Sequence, residues 1–66
     1  MEFNLLYDTL HTADGYIEVE TYNGVISVGA YNRGHQPATL RLTIEQVKDL
    51  SQLLLDAADR VTRDQE

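Results

Sequence analysis

The pair Asn23-Gly24, set between two runs of β-branched and aromatic residues, is the strongest local constraint in this 66-residue chain. Asn-Gly is the preferred centre of a two-residue type I′ hairpin, because both central residues must adopt positive φ. With Tyr22 and Val25 as the flanking pair, the register follows. Thr21 faces Ile26, Glu20 faces Ser27, Val19 faces Val28, Glu18 faces Gly29, Ile17 faces Ala30 and Tyr16 faces Tyr31. Side chains alternate along a strand, so Ile17, Val19, Ile26, Val28 and Ala30 share one side and Glu18, Glu20 and Ser27 share the other. Turn chemistry and hydrophobic alternation point to the same hairpin.

Elements on either side extend it. Thr12-Ala13-Asp14-Gly15 reads as a turn. In the segment before it Phe3, Leu5 and Tyr7 alternate as in a strand, while Leu6 and Leu10 have helical spacing, and strand is the favoured reading. Asn32 to Pro37 is turn chemistry, with Pro37 confined to the start or edge of a strand. Leu40 and Leu42 then alternate with Thr39, Arg41 and Thr43 in a short fourth strand. Thr43 has the character of a helix N-cap, with Gln46 completing a capping box and Leu42 able to staple against Val47. A helix to about Val61 or Thr62 then places Val47, Leu50, Leu54, Ala57, Ala58 and Val61 on one stripe and the charged residues opposite. The expectation is a single α+β domain over 1–66: an antiparallel β-meander of three to four strands, then one C-terminal amphipathic helix packed on the sheet, with a frayed tail from about 63.

So short a chain buries a thin core, and with no cysteine it has neither disulfides nor thiolate metal sites to reinforce it. That composition suits a reducing cytoplasm. No apolar run is long enough for a membrane span. The apolar sector of the helix is wide: Leu53 and Leu55 lie at its opposite edges together with Ile44. These three are candidate contacts of a homodimer, the alternative being that Leu53 and Leu55 pack under the first strand or the His35 loop.

Acidic residues outnumber basic ones 11 to 5, for a formal charge of -6. A phosphate backbone is repelled overall by such a chain. An acidic surface of this kind is either solubilising charge or one that attracts a basic partner or imitates nucleic acid. Catalytic constellations are missing: Ser27, Ser51 and Lys48 lack an adjacent base and orienting group, and His11 and His35 stand apart from other ligands. Glu18 and Glu20, about 7 Å apart along one strand face, need a dry pocket to act as acid and base, and a small open sheet offers none. No enzyme, cofactor or metal is expected. Tyr16, Tyr22 and Tyr31 fall together on the polar face, with Tyr16 and Tyr31 paired across the hairpin. This arrangement stabilises a sheet and also suits a macromolecular contact.

The stretch Tyr22-Asn23-Gly24-Val25-Ile26-Ser27-Val28, followed by Tyr31, a glycine-containing loop and Leu40-Arg41-Leu42-Thr43-Ile44-Glu45-Gln46-Val47-Lys48-Asp49-Leu50, resembles the single-stranded-DNA-binding transcriptional coactivators of the positive-cofactor type and their bacterial relatives. The resemblance spans about residues 16 to 61 and implies four strands before one helix, helix-paired subunits, and nucleic-acid contacts at Tyr22, Tyr31, Arg33 and Arg41. The chain departs from the family in having Gly29 and Ala30 where strand cations are placed, only Arg33 in the loop, and Val47 where an aromatic follows the Glu-Gln pair. Size and charge together give the leading expectation, a small non-enzymatic bacterial or phage homodimeric module that regulates or occupies a protein partner through its acidic helix or its tyrosine-bearing sheet face. The alternative is a coactivator-like protein that binds single-stranded nucleic acid. Tyr16, Tyr22, Tyr31, Arg33 and Arg41 are the candidate contacts for either partner.

Overall fold

A computed structural model describes residues 5–65. Four strands, β1 (Leu6–His11), β2 (Gly15–Tyr22), β3 (Val25–Asn32) and β4 (Ala38–Leu42), precede one helix, α1 (Ile44–Asp64). The strands form one antiparallel sheet in sequential order, so the chain is an α+β meander with all four strands present. The β2–β3 register runs from Tyr22 opposite Val25 to Tyr16 opposite Tyr31, pair by pair as the hairpin analysis requires. Asn23 has φ 50° and Gly24 φ 77°, the two positive values that a type I′ turn demands.

The first segment is a strand over Leu6–His11; Phe3 lies outside the described residues. Its register sets Leu6 opposite Thr21, Asp8 opposite Val19 and Leu10 opposite Ile17. Leu6 and Leu10 therefore join the apolar face, and Tyr7, Thr9 and His11 join the polar one. The four-residue spacing of Leu6 and Leu10, which a helix would also satisfy, is two periods of a strand. Asp8 interrupts this apolar face on an edge strand. Its Oδ1 accepts a hydrogen bond from the Thr9 N–H at 2.8 Å, and an inward-pointing charge at an edge discourages uncontrolled strand addition.

Gly15 differs from its reading as a turn glycine. It is absent from the positive-φ positions of the described residues. What it requires is space: a methyl group there would overlap the backbone carbonyl of Tyr31. The turn itself is closed by Thr12, whose N–H donates to the Gly15 carbonyl at 2.7 Å and whose Oγ1 accepts from the Gly15 N–H at 3.1 Å.

Helix α1 begins with the full capping box. Thr43 Oγ1 accepts from the Gln46 N–H at 3.1 Å, and Gln46 Oε1 accepts from the Thr43 N–H at 2.9 Å. The helix continues through Asp64 with Gln65 as its C-cap, slightly past the Val61 or Thr62 expected from periodicity. Arg63 pairs with Asp59 one turn back at 2.9 Å, and Thr62 Oγ1 donates to the Ala58 carbonyl at 2.9 Å. Such exposed local links contribute only about 0.3–0.5 kcal/mol each.

No apolar side chain among the described residues is buried. The helix touches the sheet chiefly at β4, and between its first three turns and the apolar face lies an open cleft of about 670 Å³. Leu10, Ile17, Val19, Ile26, Val28 and Leu42 form one wall, and Val47, Leu50 and Leu54 the other. The accessible surface is 6145 Å², against about 4,200 Å² for a compact monomer of this mass. The radius of gyration is 14.4 Å, against about 11 Å for a compact chain of this length. Secondary structure is complete, but the two apolar surfaces remain apart.

Three substitutions test this local account by urea denaturation at fixed protein concentration. Gly15→Ala lowers the midpoint more than Gly24→Ala does, because backbone must move at Gly15, whereas Gly24→Ala costs about 1–2 kcal/mol of left-handed strain alone. Thr43→Ala removes the N-cap and costs about 1 kcal/mol.

Candidate functional site

The polar face of the sheet is ordered in rows set by register. In one row His11 pairs with Tyr16, which pairs with Tyr31. The Tyr16 and Tyr31 rings stack at 4.6 Å and 17°, and His11 lies against Tyr16 at 5.6 Å and 47°. The next row is Thr9, Glu18, Gly29 and Thr39; the third is Tyr7, Glu20, Ser27 and Arg41. Gly29 sits low at the centre, and a Cβ built on it would stand 3.4 Å from Thr39 Oγ1 and 3.9 Å from Glu18 Cβ. Pairing continues through Gly29 without a bulge, so this strand glycine marks a dip in the face.

Of the residues singled out from the sequence, Tyr16 and Tyr31 are brought into contact, and Arg41 shares their face two rows away. Arg33 follows β3, where its N–H donates to the Asp14 carbonyl at 3.1 Å, at the same end of the sheet as the stacked tyrosines. Tyr22 shares the face but stands at the opposite end of β2, about 20 Å away along the strand. There it borders a shallow depression of about 240 Å³ with Leu5, Tyr7 and Glu20. The candidates thus divide between two ends of one surface.

Tyr7 and His11 belong to this surface and were not singled out. The signal for both was the Thr12–Gly15 turn, which sets β1 against β2 as Asn23-Gly24 sets β2 against β3. Tyr7 links the rows electrostatically. Its phenol is held above the usual 10 by partial desolvation, then by the charge of Glu18 and a hydrogen bond to it, with Glu20 and Tyr31 adding to the effect. Tyr16 is also raised, by desolvation first and then by Tyr31 and Glu18.

On the helix, Ile44, Leu53 and Leu55 are each about two-thirds exposed, at 66%, 66% and 65%. Leu53 and Leu55 flank the cleft-facing stripe on either side, so the three neither line the cleft nor pack under β1 or the His35 loop. His35 lies in the turn between β3 and β4, its N–H donating to the Asn32 carbonyl at 3.1 Å. Among the described residues no group of three or more His, Cys, Asp or Glu side chains is arranged to hold a metal ion. No helix among them is long and apolar enough to cross a membrane.

Comparison with protein-family models, curated proteins and solved structures finds no match to this chain.

The raised phenols set an alkaline limit. A phenol whose folded-state pKa is raised contributes stability fully below about 10, and loses it as pH rises through the folded value. In a spectrophotometric titration Tyr7 and Tyr16 ionise later than free tyrosine, and Glu18→Gln brings Tyr7 back toward 10. An unmoved Tyr7 in that variant removes Glu18 as a cause.

Proposed function

We propose that this chain is a small non-enzymatic, homodimeric binding module that regulates or occupies a protein partner through the tyrosine-bearing face of its sheet. The observation that carries the reading is the division of the sheet into two uncovered faces of different chemistry. The apolar face suits a second copy, and the polar face remains open beyond it. On that polar face Tyr7, Tyr16 and Tyr31 surround Glu18 and Glu20, with Arg41 at the margin. Tyrosine combines a large apolar ring with a hydrogen-bonding tip and is enriched in protein interfaces.

Charge favours protein over nucleic acid. The one ion pair among the described residues is Arg63 with Asp59 on the helix, so Glu18 and Glu20 are not neutralised by a neighbouring cation. Two carboxylates at the centre of the face, on a chain of net charge -6, oppose a phosphate backbone. Acid–base catalysis by the same pair lacks an enclosed site, since the large cleft is on the other side of the sheet.

Two measurements bear on this reading. A labelled single-stranded oligonucleotide titrated at low and at physiological salt shows no saturable rise in anisotropy. Saturable, salt-weakened binding would instead identify a nucleic-acid-binding protein that uses Tyr16, Tyr31, Arg33 and Arg41. With a photo-crosslinking residue in place of Thr39, a specific protein adduct forms in lysate. It is competed by the unmodified chain and weakened at least about tenfold by Tyr16→Ala with Tyr31→Ala, as expected for aromatic anchors. An adduct indifferent to both tyrosines excludes this face as the contact.

A further inference from the structure

We infer that the cleft between the apolar sheet face and α1 is filled by α1 of a second copy, in a reciprocal dimer whose two helices form a middle layer between two sheets. The inference rests on the homodimeric reading above and names the surfaces that make it.

The first argument is area. The chain exposes about 1,900 Å² more than a compact monomer of its mass, taking 6145 Å² against the size scaling. Obligate homodimers bury about 2,000–5,000 Å² in total, or roughly 1,000–2,500 Å² per subunit. The excess falls within that range, and much of it is apolar.

The second argument is the width of the helix's apolar sector. A helix that covers a single sheet needs a stripe of about 100°. In α1 the apolar sector runs from Leu53 through Leu50, Leu54 and Val47 to Leu55, roughly 200° at 100° per residue. Leu54 lines the cleft yet is still 61% exposed. A helix bounded by its own sheet on one side and by a second helix and sheet on the other uses such a sector; a helix against one sheet does not.

The third argument is complementarity within one sequence. The cleft is an apolar acceptor, and the second half of α1, bearing Val61 at 56% exposure, is an apolar donor outside the cleft lining. A twofold axis matches the donor of each copy to the acceptor of the other and closes the assembly. The two tyrosine faces then lie outermost, on opposite sides of the dimer, so it presents two identical partner sites.

The test combines sedimentation with isotope-filtered NMR on a mixture of differently labelled copies, both on the intact chain. The expected result is a species of twice the 7.5 kDa chain mass, with intermolecular methyl contacts from Leu54 and Val61 to Ile17, Val19 or Val28. Leu54→Glu weakens dimerisation at least about tenfold, whereas Tyr16→Ala leaves it unchanged. A monomer at NMR concentration overturns the proposal, as do intermolecular contacts confined to the β1 edges. Because the labelled wild-type chain carries the decisive contacts, an unfolded Leu54→Glu variant does not obscure the answer. A monomer overturns the homodimeric reading together with this inference, contacts confined to the β1 edges overturn the inference alone, and partner capture by the tyrosine face is a separate readout.

Discussion

Every side chain on the sheet takes its side from the backbone of Asn23 and Gly24. Two successive positive-φ residues close β2 and β3 in a single register, and with a side-chain period of two, a slip by one residue would exchange the faces. Ile17 and Val19 would then meet the solvent side while Ile26 and Val28 kept the cleft, and Glu18 and Glu20 would turn into it. Thr12–Gly15 transmits the same parity to β1, with Gly15 admitting the Tyr31 carbonyl at close quarters. The stacked Tyr16 and Tyr31, worth about 0.5–1.5 kcal/mol beyond their area, reinforce that register from the polar side.

Parity gives the sheet two chemistries, but it does not close a core. A 21-residue helix capped by Thr43 and Gln46 has strong local reasons to exist, yet it borders the apolar face with a cleft between them. Helix stability in proteins comes mainly from burying an amphipathic face rather than from propensity. The exposed apolar residues of α1 and of the sheet therefore pose one problem, which the proposed second copy of the same chain would answer for both. This is a familiar solution for short chains that lack disulfides or metals.

In the proposed dimer the apolar side is covered and the polar face is left open. Its rows are not uniform. Aromatic rings gather at the Gly15 end, carboxylates stand at the centre above the dip at Gly29, Tyr7 stands beside Glu20 about 13 Å from the stacked pair, and Tyr22 about 20 Å from it by strand rise. A surface with separated aromatic patches and a negative centre fits the proposed protein partner better than a small ligand. Its duplication on opposite sides of the proposed dimer would give such a module avidity or a bridging role.

Local chemistry made the elements legible in the sequence. Asn23-Gly24 determined the β2–β3 register residue by residue, Thr43 with Gln46 determined the helix start, and the alternation of Leu40 and Leu42 determined the fourth strand, because each depends on neighbours in the chain. Leu6 and Leu10 were ambiguous, since a spacing of four residues satisfies both a strand and a helix, and only pairing with Thr21 and Ile17 made them strand residues of the apolar face. The site was half legible for the same reason. The Tyr16–Tyr31 pair and the distance of Tyr22 along β2 follow from one hairpin, whereas the entry of Tyr7 and His11 depends on how β1 lies beside β2. The separation of helix and sheet was decided only in the tertiary structure, because no residue pattern along the chain states how far apart two apolar surfaces will come to rest.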